Sequence, residues 1–160
     1  MLEDNKWQQL WMFLIDRIRK PFKHPEFVFY FILVIAGVGA IGIYSAIFIQ
    51  DLPESRKDFI ISNIASYFLA VIATGCVELI FIQKDNLKRA VLLLSIGAIF
   101  LNTFLFFLCI QLSSYFFASI GLFVALTVWW LANAENTNII ETSFNTDIRQ
   151  ETNEIHGKNW

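Results

Sequence analysis

The sequence predicts an all-α membrane protein: four transmembrane helices, an N-terminal amphipathic interfacial helix and a short cytoplasmic C-terminal tail. Three observations carry this. No charged residue occurs from Ala90 to Ala134, a run of 45 positions. Two more apolar stretches precede that run. The lysines and arginines then fall almost entirely on one side of the resulting topology.

The charge-free run comes first because it fixes the solvent. As one helix it would be about 68 Å long, against a bilayer hydrocarbon core of about 30 Å. It must fold back on itself, most simply as two spans, 90–111 and 115–132, with Gln111, Ser113 and Ser114 as the polar break. That hairpin is tight. Of the two earlier stretches, Phe27 to Gln50 has no charge, and Phe59 to Gln83 is interrupted only by Glu78. They predict spans at 27–49 and 59–82. Composition agrees: 56% of residues are hydrophobic, mean hydropathy is +0.55, and 16% are charged. Soluble domains carry roughly a quarter charged residues.

Orientation follows from cation placement. Lys6, Arg17, Arg19, Lys20 and Lys23 precede the first span. Lys84, Lys88 and Arg89 lie between the second and third, and Arg149 and Lys158 lie in the tail. Four spans put all of these on one side, leaving only Arg56 and Lys57 opposite. Both termini are therefore expected in the cytoplasm, with the protein multi-pass in the inner (plasma) membrane. The opening MLEDNKW has no apolar core before Pro21, so no cleavable signal is expected.

The chain divides into an amphipathic, basic N-terminal helix (1–25), the transmembrane domain (26–132) and the tail (133–160). In the first part, Trp7, Leu10, Trp11, Leu14, Ile15 and Ile18 recur on one helical face. Pro21 and Pro25 end that helix. Tryptophan suits the headgroup boundary, and the adjacent cations suit anionic lipid. Arg17, Arg19, Lys20, Lys23, Lys84, Lys88 and Arg89 together are the expected contact for lipid phosphates or another anionic ligand. The tail holds five acids and six Asn against two cations. Ile140, Phe144, Ile148 and Ile155 could continue the fourth span or pair with copies of themselves. Trp129, Trp130 and Tyr115 read as interfacial anchors of the fourth span.

Polar residues at membrane depth are costly, so they mark candidate function. Glu78 is the only ionisable residue within a span. Ser66, Ala70, Thr74 and Glu78 recur every four residues, with Asn63 on the neighbouring face. This face is too polar for lipid. In the third span, Ser95, Asn102 and Cys109 repeat every seven residues, with Asn102 near the midplane. Asn63, Ser66, Thr74, Glu78 and Asn102 are the expected pore-lining set. A structural reading stands beside it: Glu78 reaching a lysine such as Lys84 or Lys88, and Asn102 bonding between helices. Ala36, Gly39, Ala40, Gly42 and Ala46 give the first span small residues for close helix packing. Cys76 and Cys109 read as apolar packing residues rather than a disulfide.

Catalytic chemistry is not indicated. His24 and His156 lie outside the spans, and HExxH, CxxC and GxSxG motifs are absent from the sequence. No enzyme activity, cofactor or metal is expected. The near-neutral net charge of −2 implies no particular partner, and no reading of duplex nucleic acid is expected. Four helices alone pack solidly, so conduction requires several copies around an axis. The first expectation is a homo-oligomeric channel or pore. The alternative is a non-conducting membrane adaptor, or an immunity or assembly subunit, that binds a partner protein.

In its order of parts, the chain resembles the small four-span effectors of bacterial anti-phage defence, including the Hailong type. The shared features are a short N-terminal helix, four spans, a short tail and no enzymatic motif. The resemblance implies an ion-conducting effector controlled by a nucleotide or oligonucleotide signal, made by a partner nucleotidyltransferase. It implies Arg17, Arg19, Lys20, Lys84, Lys88 and Arg89 as the place for that signal.

Overall fold

A computed structural model describes residues 2–48, 56–82 and 88–136, and among these the chain is all-helical. Helix α1 spans Leu2–Arg19 and is followed by a 3₁₀ turn at Lys20–Lys23. Helix α2 (Pro25–Tyr30), a π-helical stretch (Phe31–Val38) and α3 (Ile41–Phe48) make up the next segment. Helices α4 (Arg56–Ile82), α5 (Lys88–Gln111) and α6 (Tyr115–Asn133) complete the fold. The last three are each long and apolar enough to cross a membrane. The bent helical pair 8–23 and 25–38 brings the number to four if it counts as one span.

Helices α4, α5 and α6 form the core. Ile61, Ala65, Phe68, Ile72, Cys76 and Leu79 of α4 are buried at spacings of three and four, which is one helical face. The facing side of α6 is small: Ala118, Gly121, Ala125 and Ala132 are buried. A Cβ on Gly121 would lie 2.8 Å from the Phe68 ring, and one on Gly75 would lie 3.0 Å from the Trp129 backbone. Close backbone approach is what holds helices together where surrounding lipid is as apolar as the side chains. The α4–α6 contact is therefore the tightest seam of the bundle. Its signal, small residues every three to four positions in α6, was present in the sequence alongside the first-span stripe.

The α5–α6 hairpin turns over Leu112 to Ser114. Ser113 takes the left-handed φ of 46°, uncommon outside glycine. Its hydroxyl donates to Asp58 Oδ1 at the start of α4, tying that turn to the neighbouring helix. Arg56 reaches back to the Ile47 carbonyl at 2.5 Å and so covers the end of α3.

The expected first span, 27–49, is not one helix. It changes winding at Phe31 and breaks at a Gly39–Ala40 turn. The Gly39 N–H bonds the Val34 carbonyl at 2.7 Å, five residues back. Only glycine fits this turn, because a Cβ on Gly39 would lie 2.7 Å from the Ile35 oxygen and 3.2 Å from Tyr67. Two tyrosines repair the break. The Tyr67 hydroxyl donates to the Ile35 carbonyl at 2.5 Å, and the Tyr44 hydroxyl donates to the Ala36 carbonyl at 2.6 Å. Irregular backbone at membrane depth persists only where such partners complete it. Of the small-residue stripe, Ala40 and Ala46 are buried, and a Cβ on Gly42 would meet Asn63 at 3.2 Å. This segment packs on α4 of its own chain.

Helix α1 leaves the first span at a bend of 91°. His24 is extended there (φ −118°, ψ 93°) between Pro21 and Pro25. Leu10 is buried with Leu79, Val91, Leu131 and Ala132. Trp11, Ile15 and Ile18 stay exposed. The apolar face of α1 is thus shared between the bundle and the surroundings. The Trp7 side chain, Lys84 and the tail beyond Asn136 lie outside the described residues.

Candidate functional site

The polar positions divide into three groups. The first lies on the outside of α4. Ser62, Ser66, Ala70 and Thr74 are exposed at four-residue intervals, with Ala73 beside them. No other described helix covers this strip. Thr74 satisfies its own hydroxyl by donating to the Ala70 and Val71 carbonyls at 3.2 and 3.0 Å. Glu78 continues the row and is partly buried. Its Oε2 is buried and has no hydrogen-bond partner among the described residues. Asn63 is partly buried beside Gly42, and its amide donates to the Phe59 carbonyl at 2.9 Å.

Asn102 does not join this row. It is wholly buried within the core face of α5, in line with buried Ser95 and Cys109. Neither amide atom has a hydrogen-bond partner among the described residues, and the Ser95 hydroxyl has none either. The Cys76 thiol reaches the Ser95 carbonyl at 3.4 Å. As placed, Asn102 cannot line a path on the α4 face. The seven-residue repeat put Asn102 on one face with Ser95 and Cys109, but a repeat does not say which way that face is turned.

The third group holds α1 to the end of α6. Arg17 is 3% exposed, because the Leu10–Leu14–Arg17 spacing places it on the docked face of α1. One terminal nitrogen donates to the Leu131 and Ala132 carbonyls at 2.8 and 3.3 Å. The other pairs with Glu135 at 3.0 Å. The last carbonyls of a helix lack intrahelical donors and carry partial negative charge. A guanidinium is well matched to them. Lys20 bridges Glu135 and Asp16 at 2.5 and 2.8 Å. The Trp130 indole donates to the Ile18 carbonyl at 3.3 Å, and Phe22 packs on the same ring.

The charges respond accordingly. Burial pulls the Arg17 pKa below its ordinary value, and Glu135 opposes that pull. Hydrogen bonds to Asp16 and Glu135 raise the Lys20 pKa. The Lys20 hydrogen bond, helped by Arg17, lowers the Glu135 pKa against desolvation. Arg17 therefore leaves the expected basic patch. Its N–H groups face protein carbonyls, so it presents no surface to a lipid phosphate or dissolved anion. Lys20 is already paired. Arg19, Lys23, Lys88 and Arg89 remain exposed.

The described residues hold no group of three or more His, Cys, Asp or Glu that could bind a metal. Comparison with family models, with curated proteins and with solved structures gives no match for this chain.

Proposed function

We propose that the chain assembles with copies of itself in the plasma membrane as an ion-conducting channel, its termini in the cytoplasm. The observation that carries this reading is the row of small and hydroxyl-bearing residues on the uncovered face of α4, with the partly buried Glu78 at its end. Facing hydrocarbon, a carboxylate at the centre of a span would cost roughly 2.5–3.5 kcal/mol, and less at Glu78, about one turn from the end of α4. Facing the same row of neighbouring copies, it borders a shared aqueous path at no such cost. Small side chains at Ser62, Ser66 and Ala70 allow the copies to approach closely. The conducting row is then Ser66, Thr74 and Glu78, flanked by Asn63, and Asn102 is excluded from it.

By the resemblance noted above, such a channel serves as an effector of anti-phage defence. A nucleotide-type anionic signal would act on the exposed cations Arg19, Lys23, Lys88 and Arg89. The same uncovered α4 face also suits a second reading, a non-conducting adaptor that binds a different membrane protein there. Ion flux from purified protein in liposomes separates the two. The channel reading expects flux from an oligomer, reduced by Ser66→Leu and Thr74→Leu and altered in ion preference by Glu78→Gln. A monomeric mass with no flux under any condition overturns it and leaves the adaptor.

A further inference from the structure

A groove of about 660 Å³ runs between α1, α5 and α6 on the side of the bundle away from the first span. Its walls are apolar, and Leu10, Leu14, Ala90, Leu101 and Leu131 are among them. Gly97 lies in its floor, and a Cβ placed there would meet no atom within 4 Å. The groove follows α5 from Ala90 to Leu101. That is about 16 Å of helix, close to the roughly 15 Å half-thickness of a bilayer core. Helix α1 lines the end beside Ala90 and Leu131 through Leu10 and Leu14. Directly beyond Ala90 stand Lys88 and Arg89, both exposed and without an ion pair among the described residues.

We infer that this groove holds one acyl chain of an anionic phospholipid from the leaflet on the side of the termini, with its phosphate held by Lys88 and Arg89. The occupant follows from length and charge together. A cavity about one leaflet deep, apolar along its length and bordered by two cations with no ion pair among the described residues, matches a lipid with a negative head. A soluble anion would find only the two cations, and a zwitterionic lipid would offer them a phosphate already offset by its own ammonium. Because α1 supplies one wall through Leu10 and Leu14, the site exists only while α1 is docked. The inference needs α5 and α6 to cross a bilayer. It does not depend on whether the protein conducts.

The test is lipid titration of the full chain in detergent, followed by native mass spectrometry, with phosphatidylglycerol and phosphatidylcholine as probes. The parent is expected to retain one phosphatidylglycerol about tenfold to thirtyfold more tightly than phosphatidylcholine, the factor that two basic side chains near an anionic head provide. Lys88→Gln with Arg89→Gln should abolish the preference and leave phosphatidylcholine binding unchanged. Gly97→Leu fills the groove from its floor without touching protein atoms and improves helix propensity. It should therefore keep the thermal midpoint of the parent yet weaken both lipids by about tenfold or more. No headgroup preference in the parent, or undiminished binding by Gly97→Leu, overturns the inference. So does displacement of the lipid by inorganic phosphate, which would mark the cations as an anion site independent of the groove.

Discussion

Replacing Arg17 by Met keeps the apolar stem and removes the guanidinium, so it isolates the clasp between α1 and the end of α6. Two charge-assisted bonds to the Leu131 and Ala132 carbonyls contribute about 1.5–3 kcal/mol each. The pair with Glu135, which is 42% exposed, adds less than about 1 kcal/mol. Against this stands the buried Nε, which has no partner among the described residues and costs about 1–3 kcal/mol. At the midpoints of these ranges the net is about 3 kcal/mol, a factor of about 150 in the ratio of docked to undocked α1. Lys20→Met should cost under about 1 kcal/mol, since its partners are solvent-exposed. Amide hydrogen exchange in nanodiscs reads this directly, because a weaker dock raises the exchange rate of α1 by the same factor. Arg17→Met should speed exchange across α1 about 150-fold and leave α4, α5 and α6 at parental rates. Unchanged α1 exchange refutes the clasp. An effect of Lys20→Met as large as that of Arg17→Met assigns the docking to surface charge instead.

The same clasp has a pH signature. Glu135 has a lowered pKa, so its contribution is complete above the ordinary carboxylate value near 4 and is lost as pH falls below it. Lys20 has a raised pKa, so its contribution is complete below the ordinary lysine value near 10 and is lost as pH rises beyond it. Protection of α1 should hold across neutral pH and decline on the acid side, a trend that Glu135→Gln removes. Asn102→Leu removes a buried amide with no partner and should leave the thermal midpoint in detergent unchanged or raise stability by about 1–3 kcal/mol. A loss of that size would mean that the amide has a partner in the assembled protein. Tyr67→Phe takes the donor from the Ile35 carbonyl and should cost about 1–3 kcal/mol in the same melt. Tyr44→Phe, at a more exposed site, should cost less.

The apolar, span-length helices were legible because hydropathy depends on the kind of residue and little on its neighbours. The runs at 59–82, 90–111 and 115–132 correspond within a few residues to α4, α5 and α6, and the Gln111–Ser114 break falls at the turn. The break in the first span was not legible. Its residues carry no charge to mark a boundary, and one of the hydroxyls that completes the turn comes from Tyr67, a residue on another helix. Arg17 was hidden for a similar reason. A count of cations treats every arginine as surface charge, while its partners Leu131, Ala132 and Glu135 lie more than a hundred positions away. The face periodicity did carry a clue, since Arg17 shares the Leu10–Leu14 side. For Asn102 the repeat grouped the residue with Ser95 and Cys109 and left the direction of that face open. The α4 row was legible as unsuited to lipid, and the structure adds that no other described helix of the chain covers it.

The repaired turn at Gly39–Ala40 has a consequence for how the protein is made. Residues 25–48 emerge from the ribosome before Tyr67 has been synthesised. Until α4 arrives, the Ile35 carbonyl has no donor from its own segment, and hydrocarbon offers none. In a membrane, this segment would therefore not be complete by itself. The bond that closes its break comes from Tyr67 of α4, so its final wound form would depend on pairing with that helix.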